Sequence, residues 1–340
     1  MGAWKWVIDT MLDLVTGGAG FIGSHLTDRL LALGRTVRVV DNMASGNPRN
    51  LEQHKANPRL EVRVADVADP EVMAGAMTGV ERVFHLAALA DIVPSIQNPE
   101  GYFRSNVVGT FVTLQAARAA AVRRFVYVAS SSCYGIPDSY PTPESAEIRP
   151  QYPYALTKWL GECQVMHWAQ VYGLPAISLR FFNIYGPRAR TSGTYGAVFG
   201  VFLAQLLAGK PLTIVGDGEQ TRDFTYVSDA VDALICAAES HKVGLCLNVG
   251  SDNPVSVNDL AKLLKAPATV HIPKRPGEPD CTFADTGRIK RELDWKSRVP
   301  IEEGVQNMLK AIDYWREAPV WTPETIAEAT KDWFTYLGRR

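Results

Sequence analysis

The chain has no CxxC pair, and its five cysteines, Cys133, Cys163, Cys236, Cys246 and Cys281, are odd in number and widely spaced. That argues against a disulfide framework and a structural zinc site, so no metal is expected and a reducing cytoplasm is the default compartment. Charge of one sign is lacking too: 35 Lys+Arg face 36 Asp+Glu, with no basic run to track phosphates. A nucleic-acid partner is therefore not expected. Long hydrophobic runs are also missing. The longest apolar stretch, 196–209, is interrupted by Gln205 and falls short of the ~20 residues that a membrane span needs. It reads as a buried helix, and no membrane partner is expected. The opening MGAWKWVIDTML has neither a basic n-region nor a long apolar h-region and does not read as a secretory leader. There is no internal repeat and no low-complexity segment.

What remains is an ordinary globular composition, 340 residues with 46% hydrophobic and 21% charged, enough to bury a large core. Short apolar runs rich in β-branched residues predict strands at 12–16, 37–41, 60–65, 82–86 and 125–129. Between them, 21–33 and 103–121 carry apolar residues at helical spacing. Repeated βα alternation implies a parallel sheet covered on both faces. Pro153 opens a long helix over 154–172 that Gly173 and Pro175 stop, and a sixth strand follows at 176–181. After Asn183 the rhythm loosens. The expected fold is α/β: a Rossmann-type doubly wound parallel sheet over 12–183, then a smaller mixed α/β substrate-binding domain over 184–316, with some later elements returning to the first. Residues 1–11 and 317–340 are terminal extensions with no assigned role.

VTGGAGFIG sets Gly17, Gly20 and Gly23 between the first strand and the first helix. Glycines there let the backbone approach a pyrophosphate, whose charge meets free N–H groups at the helix N-terminus. Asp41 ends the second strand, 18 residues beyond Gly23, where a carboxylate can accept hydrogen bonds from an adenosine ribose and would repel a 2′-phosphate. NAD is thus favoured over NADP. Asp66, at the end of the third strand, either faces the adenine or sits in a solvated turn.

Tyr154 and Lys158, in YALTK, are four residues apart and share one helix face. A neighbouring ammonium and an oxidised nicotinamide would bring a phenol down from its ordinary pKa near ~10, which makes Tyr154 a candidate general base.

With these motifs in this order, the chain resembles the extended short-chain dehydrogenase/reductase family, in its branch of nucleotide-sugar epimerases and dehydratases. The resemblance covers about 12–316 and rests on TGGAGFIG, HLAA, SSSCYG, YALTK, RFFNIYGP, TRDFTYVSD and RPGE. It implies pyrophosphate at Gly17, Gly20, Phe21, Ile22 and Gly23. It implies adenosine at Asp41, Asn42, Asp66 and Val67, and a cofactor wall at Leu86, Ala87 and Ala88. Asn106 would support the site, and Lys158 would hold the nicotinamide ribose. On the substrate side it implies Asn183 near a diphosphate, Arg222 and Arg275 gripping phosphates, and Glu278 on the nucleoside ribose. Guanidinium forks suit phosphate oxygens. A homodimer is implied through the helices at 103–121 and 154–172.

Members of the branch, the resemblance implies, pass a hydride from the sugar to NAD while the tyrosine takes the hydroxyl proton. The 4,6-dehydratases then use two carboxylic acids, which fall here on Ser131 and Ser132. Decarboxylases tend to keep a Glu at Ser132. Hydroxyls cannot serve as bases near neutral pH, so water elimination is disfavoured. Ser130 falls on the hydroxyl that bridges sugar O4 and the phenol in 4-epimerases, and Ser130 and Ser132 are expected to face the substrate. The segment 192–199, with Val198, resembles a loop of epimerases that accept N-acetylated hexoses. Thr282 falls where a bulky tyrosine narrows the pocket in enzymes restricted to plain hexoses. The implied reaction is C4 epimerisation of a UDP-sugar, UDP-GlcNAc/UDP-GalNAc or UDP-Glc/UDP-Gal. Another reaction of the branch and a non-catalytic dinucleotide sensor stand as alternatives.

Overall fold

The computed structural model describes residues 11–189 and 198–338. Its first half runs β1 (Leu12–Thr16), α1 (Phe21–Ala32), β2 (Thr36–Asp41), a 3₁₀ helix at Pro48–His54, β3 (Leu60–Val64), α2 (Pro70–Ala76), β4 (Val80–His85). Then come α3 (Ile92–Gln97), α4 (Pro99–Phe103), α5 (Gly109–Ala119), β5 (Arg124–Ser130), α6 (Pro153–Tyr172) and β6 (Ala176–Phe181). The helix expected over 103–121 begins earlier, at Pro99, where Asn98 caps it, and passes through π-helical turns at Arg104–Val108 before α5. The periodicity is shifted there by the extra residue that such turns insert.

Beyond Asn183 lie β7 (Ile184–Tyr185), α7 (Val198–Leu207), β8 (Leu212–Val215), β9 (Thr221–Asp223), β10 (Thr225–Tyr226) and α8 (Val227–Glu239). They are followed by β11 (Leu245–Val249), β12 (Pro254–Ser256), α9 (Val257–Leu263), β13 (Thr269–Ile272), α10 (Gly287–Leu293) and α11 (Ile301–Lys310). The tail forms α12 (Pro323–Ala329) and α13 (Lys331–Leu337).

Seven parallel strands build the main sheet in the order β11-β6-β5-β4-β1-β2-β3. The chain winds one way through β1, β2 and β3, then crosses back to β4, so the strand order reverses beside β1. Ligands of such sheets bind at that reversal, outside the strand carboxyl ends. Thr16, Val40 and His85 lie level there. The central strands are buried on both faces, as β6 is at every position, which explains their apolar runs, whereas the edge strand β3 leaves Val62 and Val64 exposed. Among the buried charges of the sheet, Asp13 in β1 accepts a 2.8 Å hydrogen bond from Arg82 Nε on β4.

A second core, around Tyr185, Phe202, Ile214, Leu260 and Trp315, gathers elements from the second half of the chain. Apolar on every side, α7 is buried within it. Its Gln205 is satisfied by Thr213, accepting from the Thr213 N–H at 3.1 Å and donating to its hydroxyl at 2.9 Å. Among the described residues, no helix is long and apolar enough to cross a membrane.

Candidate active site

The turn after β1 dictates the shape of the cleft. Gly17 has φ +70°, and a Cβ on it would stand 2.8 Å from the Ala87 nitrogen. A Cβ on Gly23 would come within 2.1 Å of the Gly17 carbonyl oxygen. Only hydrogen fits at either place. Gly20 caps α1 with no side chain, and the first turn of α1 carries no acid, so the N–H groups of Phe21, Ile22 and Gly23 are left to meet an anion. All five of these residues line a cleft of about 310 Å³. Asp41 and Asn42 close one end of it. Asp41 is 5% exposed; its Oδ2 accepts from the Ala19 N–H and its Oδ1 from Met43 N–H, each at 2.9 Å. Burial raises its pKa, and these N–H donors oppose the rise. The carboxylate thus ties the glycine loop to the strand end where a ribose would sit.

Leu86, Ala87, Ala88 and Val67 line the same cleft. Asp66 stands between two residues of that lining, Ala65 and Val67; its Oδ1 accepts from the Ala68 N–H at 2.9 Å and its Oδ2 from Arg104 at 2.9 Å, so this carboxylate organises the turn there. Asn106 supports the wall from behind. Its amide nitrogen donates to the Leu89 carbonyl and the Thr157 hydroxyl, both at 3.0 Å, and its Oδ1 accepts from the Leu89 N–H at 2.8 Å. One buried amide thereby fastens the loop after β4 to α6.

On α6, Tyr154, Lys158 and Glu162 recur every four residues and point at the sheet. Glu162 pairs with Arg180 of β6, 2.5 Å away and equally buried. Lys158, 4% exposed, has its ammonium 4.5 Å from the centre of the Tyr127 ring. Burial pushes its pKa down to about 7, against the pull of Glu162. The Tyr154 phenol, partly open to solvent, is shifted upward by burial, while the Ser130 hydroxyl acts to lower it. Without ligand, the crowded site disfavours both charged forms, so Lys158 supplies less cation than its type suggests. His85, wholly buried between the Thr16 and Thr110 hydroxyls at 2.8 and 3.0 Å, is pushed down to about 3 by burial and stays neutral.

The serines follow from β5 running straight into a 3₁₀ turn at Ser131–Tyr134. Ser130 Oγ caps that turn, accepting from the Ser132 N–H at 3.2 Å, and shares a 2.7 Å hydrogen bond with Ser132 Oγ. All three serines are partly open.

Across from them, Arg222 on β9 donates to Glu278 Oε1 at 2.9 Å, and Arg275 approaches Glu278 Oε2 at 3.7 Å. Glu278 Oε2 is buried and accepts no hydrogen bond, an orphan suited to a hydroxyl donor. Thr282 donates to Asn183 Oδ1 at 2.7 Å. Val198 begins α7; the rest of the acetamido-loop segment, 192–197, lies outside the described residues, as does the 1–10 extension.

Four features escaped sequence reading. Asp91, which lines the cleft, holds φ +83°, a conformation costly for any side chain. Tyr152 stacks on Tyr154 with ring centres 6.4 Å apart and planes at 8°. Ala318, Pro319 and Trp321 line the cofactor cleft from the tail, and Trp333 packs behind Arg275. None belongs to a motif, and only the aromatic content of the tail could have hinted at burial.

Comparison with known proteins agrees with this geometry. The family model described as the NAD dependent epimerase/dehydratase family matches residues 14–250. A UDP-glucose 4-epimerase of Mycolicibacterium smegmatis is 36% identical, over 90% of this chain and 99% of its own. A UDP-glucuronic acid decarboxylase of Arabidopsis thaliana is 33% identical over 87% of this chain and 68% of its own. Among solved structures, a UDP-N-acetylglucosamine 4-epimerase of Methanobrevibacter ruminantium, in complex with UDP-N-acetylmuramic acid, superposes with a TM-score of 0.85. It is 31% identical, covering 89% of this chain and 98% of that one.

Proposed function

Because the chain belongs to the NAD-dependent epimerase/dehydratase family, we propose that it interconverts UDP-sugars epimeric at C4 through a transient 4-keto sugar. NAD is the cofactor of the family, and when bound it supplies the acceptor and donor of hydride. The chain supplies the rest. Tyr154 takes the proton from the sugar O4 and later returns it, Ser130 bridges phenol and sugar, and Lys158 holds the ribose and favours the phenolate. Arg222 and Arg275 meet the diphosphate, and the orphaned Glu278 oxygen accepts from the uridine ribose. Ser132 and Asn183 border the sugar.

One observation carries the choice of reaction. The turn beside Tyr154 presents only hydroxyls, at Ser130, Ser131 and Ser132. Eliminating water needs an acid and a base that such groups do not provide near neutral pH, and the Glu that decarboxylases of the branch tend to keep is replaced by Ser132, whereas returning a hydride to the opposite face of the ketone needs neither. Thr282, small and turned to Asn183, leaves room for an acetamido group. The test is NMR of products after incubation with UDP-GlcNAc, UDP-Glc and UDP-glucuronic acid separately. A 4-epimer of unchanged mass and no net NADH is expected; loss of water or CO₂ would assign a different reaction, and inertness would make the chain a binder.

The same reading includes a homodimer through α5 and α6. Phe103, Phe111, Leu156, Val171 and Tyr172 on and beside these helices are each more than 40% exposed, unusual for large apolar side chains so grouped. Light scattering should give twice the 37.3 kDa chain mass, and Leu156→Glu should give a monomer. A wild type that elutes as a monomer would remove this part of the reading.

A further inference from the structure

The tail reaches both halves of the site. Near its start, the Trp321 carbonyl accepts a 2.8 Å hydrogen bond from Gln205 of α7, and the indole borders the cofactor cleft. Farther on, α13 is held to α3 by a 2.7 Å hydrogen bond from Gln97 to Asp332. Beside the second tie Trp333 is only 4% exposed, and three contacts converge on its indole. The ring lies over the Arg275 guanidinium, 5.2 Å from Cζ to centroid. Nε1 donates to the Pro276 carbonyl at 2.7 Å. The other side packs on Tyr152, with centroids 6.4 Å apart.

The geometry points to Trp333 as a positioning residue of the substrate site, which holds Arg275 and the loop 275–278 in the arrangement that receives the substrate diphosphate. This rests on the reading of Arg275 as a UDP-binding residue. An indole face attracts the guanidinium through its π-system and does not itself engage the in-plane N–H groups, the ones that meet phosphate oxygens. A long side chain held before the ligand arrives has less freedom to lose when it binds. The indole N–H does the same for the backbone, since a hydrogen bond to Pro276 fixes the residue next to Arg275.

Titration calorimetry of the full-length protein with UDP tests it, using Trp333→Phe, which keeps an aromatic face, and Trp333→Leu, which keeps apolar bulk without one. UDP affinity should fall about 10-fold in W333L and stay within about 3-fold in W333F. NAD content should be unchanged in both, and KM for the sugar nucleotide should rise in W333L with kcat within about 3-fold. Affinity retained in both variants would overturn the proposal, because neither the π face nor the N–H to Pro276, which both variants lack, would then matter; an equal loss in both would keep Trp333 as the positioning residue and assign the hold to that N–H. If W333L does not fold, Trp333→Met, whose flexible side chain fills the same space, takes its place. A wild type that fails to bind UDP at all would bring down the underlying reading and this inference with it.

Discussion

Tyr154→Phe should lower turnover by about 10³-fold while NAD content and UDP affinity stay within about 3-fold of wild type, read by NMR of products and calorimetry. The reason is local. Removing one oxygen leaves the ring that packs edge-on to Tyr102 and face-on to Tyr152, so neither fold nor cleft loses volume. What disappears is the only group on this face of α6 that can exchange a proton with a sugar hydroxyl, since Lys158 is buried beneath it and Glu162 is committed to Arg180. A variant that kept full activity would show that the proton leaves by another route, and Asp91, whose charge reaches the phenol, would then be the group to replace. The wild-type rate should rise with pH as the phenol ionises, and the variant's residual rate should lose that limb.

That oxygen was legible in the sequence, and so was the sheet, for the same physical reason. Strand runs, the glycine turn and the i, i+4 pair are local patterns whose geometry is fixed within one element. Thr16, Gly17 and Asp41 needed only their neighbours to be placed. The remainder depended on contacts between distant segments. Asp66 ends a strand as a ribose or adenine contact would, and nothing local foretells its hydrogen bond from Arg104, 38 residues later. The tail carries no turn signature or spacing that points to a ligand, and Trp333 acquires meaning only by meeting Arg275 and Tyr152. Even the acid–base balance of the pair was not readable, because desolvation is set by what packs around α6. Asp91 combines both limits, since neither its strained φ nor its place in the cleft follows from the surrounding LADIV.

Lys158→Met should separate stability from catalysis. Its ammonium is buried, and its pKa is pushed down to about 7 from the ordinary lysine value of 10.5. Between those two values the unfolded chain carries a proton on this amine that the folded chain has shed. Unfolding therefore takes up a proton, and wild-type stability should climb with pH across that window. Below about 7 the folded protein bears the full cost of a buried cation that only Glu162, already bound to Arg180, offsets. Methionine has similar reach and no charge to desolvate. The variant should accordingly melt higher near neutral pH, by about 1–2 °C for each kcal/mol of desolvation relieved. Its advantage should shrink as the pH climbs toward 10.5 and vanish above it, where the lysine is neutral in both states. Its turnover should fall about 10²-fold or more, because nothing then favours the phenolate or holds the ribose. Calorimetric melting at several pH values reads the first effect and product NMR the second. A variant less stable than wild type at pH 7 would mean that the contact with the Tyr127 ring outweighs desolvation, and that the site keeps Lys158 charged before any ligand arrives. Loss of turnover with a gain in stability would instead mark Lys158 as a residue retained at a cost to the fold, which is how acid–base sites buried against a sheet are expected to behave.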